Sequence, residues 1–236
     1  MSKQYRDGTY WQQHPDLHEA DADFKFRNFI KLLGQYPALP IKGIADIGCG
    51  SGRITWLFAQ HTEWPCVGVD LDENIILRAA GKYQNENLAY TTQFTAVQND
   101  TRFNCAILAD VIEHVPDYIS LLQEVKKHFD YQLFNIPLDI SLRGSIRNNT
   151  KKALEQFGHL HYFNDTKALR MLQQQGFSIL ATAHADNIGH EYSMHKTPAR
   201  FLKLAGARMM DLLFGKGLTS RVLGCYSLTV LCKSIP

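Results

Sequence analysis

The sequence predicts an α/β fold with a largely parallel sheet and helices on both of its faces. Two observations carry this. Short apolar runs alternate with helix-compatible segments along most of the chain, and the first run passes through a glycine-rich turn into an amphipathic helix, the opening of a βα unit. The 236 residues, 45% hydrophobic and 20% charged, suffice for one sizeable core, so a single domain over 1–236 is expected.

Residues 1–39 read as a polar, aromatic lead with Tyr10 and Trp11, then a helix through Phe24, Phe26, Phe29, Ile30, Leu32 and Leu33 that Pro37 and Pro40 terminate. The segment 1–40 is expected to form an N-terminal cover. Residues 43–60, GIADIGCGSGRITWLFAQ, give a strand, a turn and a helix through Ile54, Leu57 and Phe58. CVGVD at 66–70 is a second strand, followed by the helix-compatible LDENIILRAAGKYQ, and a short third strand lies near 88–91. NCAILAD at 104–110 is the fourth strand, 118–129 a helix, and YQLFNIP at 131–137 a fifth strand ended by proline, which cannot donate to a ladder.

The rhythm breaks over 138–164, a polar stretch with Arg143, Arg147, Lys151 and Lys152, expected as a substrate-side insertion. It resumes with a helix at 166–175 stopped by Gly176, a strand at 177–183 and a last strand at 225–232. Between these, 184–224 is expected as a second, irregular insertion. Its amphipathic segment 200–214 carries Phe201, Leu202, Met209, Met210, Leu212 and Leu213 opposite Arg200, Lys203, Arg208 and Asp211. Packing in the core or over a pocket is the leading expectation, with an anionic membrane surface or an oligomer interface as alternatives.

Five cysteines, at 49, 66, 105, 225 and 232, form neither a close pair nor a dense pattern, which argues against a disulfide framework, a zinc ribbon or a CxxC redox site. A cytoplasmic, reducing location is expected. Neither a basic-apolar leader nor an unbroken apolar run of about 18 residues occurs, so no integral membrane association is expected. The net charge of +2 is uneven: residues 196–233 hold seven basic and one acidic residue, +6, which leaves −4 on the preceding 195. Such a basic stretch suits an anionic substrate or peripheral membrane contact, and equally a solvated face. With no extended basic region interleaved with aromatics and no zinc finger or RNA-binding module, no nucleic-acid partner is expected.

The main chemical signal is DIGCGSG at 46–52. Glycines at a strand-to-helix crossing permit close backbone approach to a ligand, and the amides at the helix start suit an acidic group. Asp70, at the end of the second strand, is placed to accept hydrogen bonds from ribose hydroxyls. The spacing is GxGxG with Arg53 following, not GxGxxG, and Asp46 adds a negative side suited to a cationic ligand group; both disfavour a dinucleotide.

ADIGCGSGRIT at 45–55, VGVDLDE at 67–73, FNCAILADVIEHVPD at 103–117 and GHLHYFNDTKALRMLQQQGFSIL at 158–180 together resemble the class I S-adenosylmethionine-dependent methyltransferase family, in its small-molecule type. The resemblance covers roughly 40–137 and 158–183. It implies a Rossmann-like, seven-stranded sheet of order 3-2-1-4-5-7-6 with the last strand antiparallel, and S-adenosyl-L-methionine as cofactor. It further implies that Asp46 supports the methionine end, that Gly48, Cys49, Gly50 and Gly52 form the cofactor turn, and that Asp70 and Leu71 take the ribose. Asp110 and Val111 would form the floor beside methionine and substrate, and Glu113 with His114 matches the EH pair that follows. The third-strand region NLAYTTQFTAV departs from the pattern in having no acid, which leaves Thr92, Gln93 or a backbone amide for adenine.

Methyl transfer needs an in-line nucleophile and a positioned cofactor, and no metal is expected. His114 is the candidate catalytic residue, as a proton acceptor or, alternatively, a structural hydrogen bonder. His159 is assigned to the substrate; with His161 it forms an H-x-H pattern that supplies no complete metal shell. Tyr10 and Trp11 are placed as substrate cover or as packing, and Arg143, with Arg147, as recognition of a substrate anion or as solvated charge. The expected partner is a small, partly hydrophobic molecule methylated on oxygen, nitrogen or carbon. The rival readings are a protein methyltransferase, a non-catalytic S-adenosylmethionine-binding protein and an NAD-dependent oxidoreductase. The oligomeric state is left open.

Overall fold

The computed structural model describes residues 19–146, 151 and 153–235, apart from the Gln156 side chain. Tyr10, Trp11 and most of the expected cover therefore lie outside the described residues, as does Arg147.

The chain begins with helix α1 (Glu19–Leu33), whose buried Ala22, Lys25, Phe26, Phe29, Leu32 and Leu33 recur at helical spacing and whose first turn carries Glu19 and Asp21. There follow β1 (Ile44–Ile47), α2 (Arg53–His61), β2 (Cys66–Val69), α3 (Glu73–Lys82), β3 (Leu88–Thr91), α4 (Phe94–Gln98), β4 (Cys105–Ala109), α5 (Tyr118–His128) and β5 (Tyr131–Pro137). A short helix α6 (Leu142–Ile146) and a π-helical turn (Ala153–Phe157) precede α7 (Asp165–Gln174), β6 (Phe177–Asp186), α8 (Asn187–Met194), α9 (Pro198–Leu223) and β7 (Tyr226–Ser234).

The strands form one sheet of order β3-β2-β1-β4-β5-β7-β6, as the family resemblance implies. β7 runs antiparallel to both neighbours, and the other pairs are parallel. Alternation along the strands divides the core in two. Ala45, Ile47, Ala106 and Leu108 face Val97 of α4, Leu122 and Val125 of α5 and Leu172 of α7. Ile44, Cys105, Ile107 and Leu133 face Phe26, Phe29 and Leu32 of α1 and Leu57 and Phe58 of α2.

The two insertions differ from their sequence expectation in order and extent. The first holds α6 and the π turn. The second starts later, because β6 continues through His184, Ala185 and Asp186 by pairing with Leu228, Ser227 and Tyr226. It is helical rather than irregular: the amphipathic segment 200–214 is part of α9, which Thr197 caps, Pro198 opens and Gly215 (φ 77°) interrupts. The expectation that its apolar face packs inward is corrected. Ala207 is buried, but Leu202 is 74% and Leu212 87% exposed, with Phe201, Met209 and Leu213 beside them on the outer face. No helix among the described residues is long and apolar enough to cross a membrane.

Candidate active site

Strand β1 lies between β2 and β4, so the connections leave its carboxyl end in opposite directions and open a crevice there. The crevice is a cleft of about 750 Å³, lined by the turn after β1, the ends of β2 and β4, α1, the segment after β5, the π turn and the start of β7. That size lies in the range of small-molecule sites.

The turn after β1 is held by two amides: Gly48 N and Cys49 N both donate to Val69 O, at 2.7 and 3.0 Å. Gly48 has φ 74°, and a Cβ there would stand 2.8 Å from Val111 Cγ2. Only glycine meets both demands at low cost. Gly48, Cys49, Gly50 and Ser51 line the cleft, whereas Gly52 sits one step behind it, where Tyr90 packs over it and donates from its hydroxyl to Gly52 O at 3.1 Å. Burial pushes the Cys49 thiol well above its usual range, so it serves as a small apolar wall.

Asp70 follows β2. Its Oδ2 accepts from Gly50 N at 3.3 Å and its Oδ1 from Asp72 N at 3.1 Å, which fixes the carboxylate toward the cleft. Capping of α3 falls to Asp72, which accepts from Asn74 N, so Asp70 remains available to a ligand. Leu71, exposed, forms the rim. On the adenine side neither Thr92 nor Gln93 lines the cleft; the lining residue is Phe94, the first of α4. An aromatic just after the third strand was the available sequence signal for it.

Three charged groups meet at the ends of β1 and β4. Asp46, fully buried, accepts from Thr55 Oγ1 at 2.6 Å, and its carboxyl is pushed up to about 6, first by burial and then by Asp70, against the lowering effect of the Thr55 hydrogen bond. Asp110 has φ 57°, an unusual conformation for a residue that is not glycine, and Asn135 Nδ2 donates to its Oδ1 at 2.7 Å. Lys25, reaching down from α1, places its ammonium 2.6 Å from Asp110 Oδ2. Burial works to lower the Lys25 pKa, but the Asp110 carboxylate outweighs it and holds the amine above its usual range. Lys25 and Asn135 were absent from the sequence reading.

Beyond Val111 the cleft is lined by His114 and His159, and both, like the neighbouring Glu113, are buried. The His114 and His159 rings meet edge to face at 4.9 Å, and His159 Nδ1 donates to Asp139 Oδ2 at 2.7 Å. The two segments are stitched together by Leu160 N and His161 N, which donate to Glu113 O at 2.7 and 3.1 Å. Burial, followed by Asp110, pushes the Glu113 carboxyl well above the usual carboxylate range. His161 turns away, bonding Val115 O at 3.0 Å and packing on Tyr118, so the two histidines of the H-x-H pattern do not converge. Arg143 lies on α6 outside the lining residues. His184 approaches Asp165 and His190 bonds Asp21, both away from His159.

Residues 21–182 match the model of a methyltransferase domain family. The chain belongs to that family. Similar curated proteins include the ubiquinone biosynthesis O-methyltransferase of Coxiella burnetii, 29% identical over 92 residues that make up 37% of this chain and 39% of that protein. The mitochondrial ubiquinone biosynthesis O-methyltransferase of Dictyostelium discoideum is 30% identical over 108 residues, 38% of this chain and 34% of the relative. The methyltransferase chain thus spans well under half the length of these relatives. Among solved structures, magnesium protoporphyrin IX methyltransferase from Synechocystis PCC 6803 with bound S-adenosylhomocysteine superposes with a TM-score of 0.58 at 15% identity, covering 94% of this chain and 86% of that one. An S-adenosylmethionine-dependent methyltransferase from Mesorhizobium loti gives 0.55 at 17% identity, covering 84% and 97%. The same fold holds S-adenosylmethionine itself in a second Synechocystis structure, at TM-score 0.55. S-adenosylmethionine is accordingly the cofactor of this fold, and its carboxylate, amine, sulfonium and ribose call for the kinds of group that line the cleft here.

Proposed function

We propose that the chain transfers the methyl group of S-adenosylmethionine to a nucleophilic oxygen of a small, partly apolar molecule. The observation that carries this reading is the convergence of Asp46, the Gly48–Gly50 turn and Asp70 on the same cleft that ends at His114 and His159. Asp46 faces the cationic methionine end, the turn admits the cofactor backbone, and Asp70 and Leu71 take the ribose, with Asp110 and Val111 as the floor. In the reaction the S–CH₃ bond breaks as an O–CH₃ bond forms opposite it, the neutral thioether S-adenosylhomocysteine leaves, and the acceptor's proton is lost at the His114 and His159 end. Positioning and electrostatics do the catalytic work.

Oxygen is favoured as acceptor because the similar curated proteins are O-methyltransferases. Phe157, Leu138 and Cys225 give the substrate end an apolar wall. Tyr10 and Trp11 keep their place in this reading as a cover, and Arg143 as an outer anion contact. The test is incubation with S-adenosylmethionine and a panel of phenols and carboxylic acids with apolar tails. Formation of S-adenosylhomocysteine with one methyl group gained by an acceptor is the expected result; cofactor binding without turnover on any acceptor would favour a binding protein.

The outer face of α9 suits peripheral contact with an anionic bilayer. Its exposed Phe201, Leu202, Met209, Leu212 and Leu213 are accompanied by Arg208, and Lys216 follows them, within the stretch of net charge +6. Sedimentation with phosphatidylglycerol vesicles but not with phosphatidylcholine vesicles is expected, and it should be lost in Leu212→Glu/Leu213→Glu. A concentration-dependent dimer that the same double substitution dissolves would instead assign the face to a second copy of the chain.

A further inference from the structure

Glu113, next in sequence to the cleft-lining His114, is an anomalous polar group. It is fully buried, and neither carboxylate oxygen has a hydrogen-bond partner among the described residues. Buried polar atoms of native proteins are nearly always paired, so such a group calls for an explanation. It also stands among possible ligands: one donor atom from each of Glu113, His114 and His159 lies within 4.8 Å of the other two, and these three form the one such cluster found among the described residues. Glu113 Oε1 is 3.9 Å from His114 Nε2.

The surroundings of His159 match those of a ligating imidazole. Its Nδ1 donates to Asp139, an arrangement that in the neutral imidazole puts the lone pair on Nε2; metal-bound histidines characteristically give their second nitrogen to such a carboxylate. Small side-chain rotations would bring three atoms now within 4.8 Å onto one ion, and two imidazoles with a carboxylate leave further positions open. The sequence pattern missed this set because the ligands come from two segments, the turn after β4 and the residues after the π turn, that only folding joins.

We propose that Glu113, His114 and His159 form a binding site for a divalent cation of the zinc type at the substrate end of the cleft. Imidazole ligands favour zinc over magnesium or calcium. The ion would offset the buried carboxylate and hold an acceptor oxygen, which it would make easier to deprotonate. That role rests on the methyl-transfer reading; cation binding itself does not.

The experiment is direct. Chelator-stripped protein is titrated with zinc against a chromophoric competitor, metal content is measured after dialysis, and cobalt is substituted for its visible spectrum. About one zinc per chain is expected, with a cobalt spectrum of low coordination number that includes nitrogen ligands. Glu113→Gln, which keeps the shape of the side chain, and His159→Gln, on the other segment, should each weaken binding more than the roughly 10–100-fold expected for Asp139→Asn, which removes only the outer carboxylate. His190→Ala, a histidine outside the cluster, should bind zinc as wild type does. Calorimetry with S-adenosylmethionine and melting by circular dichroism check that each variant is folded. Failure of wild type to take up zinc, or equal affinity in wild type and folded Glu113→Gln or His159→Gln, overturns the site. An absence of cofactor binding or turnover with stoichiometric zinc retained would instead count against the methyl-transfer reading alone.

Discussion

Replacing Asp46 with asparagine should make the unliganded protein more stable and the cofactor complex weaker. Burial holds this carboxyl at about 6 in the folded chain, against an ordinary value of 3.8. The folded state therefore keeps a proton that the unfolded chain has released, and stability falls as pH rises between these two values. Below about pH 4 both states are protonated and the cost is absent. Above about pH 6 both are ionised and the full cost applies, about 3 kcal/mol from the two values. Asp46→Asn removes it and keeps an oxygen to accept from Thr55 Oγ1, which now donates at 2.6 Å. The variant should thus exceed wild type by up to about 3 kcal/mol at pH 8, or about 6–12 °C in Tm for a chain of this size, with the difference vanishing near pH 4. In the methyl-transfer reading the same change removes the negative partner of the cofactor's methionine amine, so affinity for S-adenosylmethionine should drop by about 1.5–3 kcal/mol. Thermal melts from pH 4 to 8 and calorimetry at pH 8 read the two effects. Parallel melting curves for variant and wild type across that range would refute the account of Asp46 as an ionisable group held out of water for a cation.

Asp70→Ala should weaken S-adenosylmethionine binding by about 1–3 kcal/mol through loss of the ribose acceptor while leaving the circular dichroism spectrum intact, and unchanged affinity in calorimetry would remove the residue from the site. Gly48→Ala combines φ 74° with a Cβ 2.8 Å from Val111 Cγ2, so a loss of about 1–3 kcal/mol in denaturant unfolding and a larger loss of cofactor affinity are expected. Lys25→Met removes the ammonium 2.6 Å from Asp110 Oδ2 and keeps the hydrogen bond from Asn135. A buried pair broken on one side costs about 3–5 kcal/mol; because the Asp110 side chain is 31% exposed, about 1–3 is expected here, and unfolding at pH 7 measures it.

What could be read from the sequence and what could not divide along a physical line. The succession of strands and helices along the chain, the turn at 46–52 and Asp70 follow from local signals, periodicity and glycine chemistry, each carried within a few neighbouring residues, whereas the order of the strands in the sheet was implied by the family resemblance. Lys25, Asp139 and Phe94 reach the cleft, and Asn135 reaches Asp110, only because α1, the segment after β5, α4 and β5 are brought together by the sheet. Lys25 nevertheless left a trace. It shares the buried stripe of α1 with Ala22, Phe26, Phe29, Leu32 and Leu33, and a lysine on an apolar stripe requires a buried partner. Asp110, at the end of a central strand, is that partner. The segment expected as an N-terminal cover thus contributes through α1 as well as through any aromatic cover: its lysine stands beside the acid assigned to the floor of the methyl-transfer site. A cofactor whose sulfonium and amine are both cationic must enter a cleft that already holds this ammonium. In the methyl-transfer reading Asp46 and Asp70 supply the further negative charge for that entry, against the burial that raises the pKa of each carboxyl.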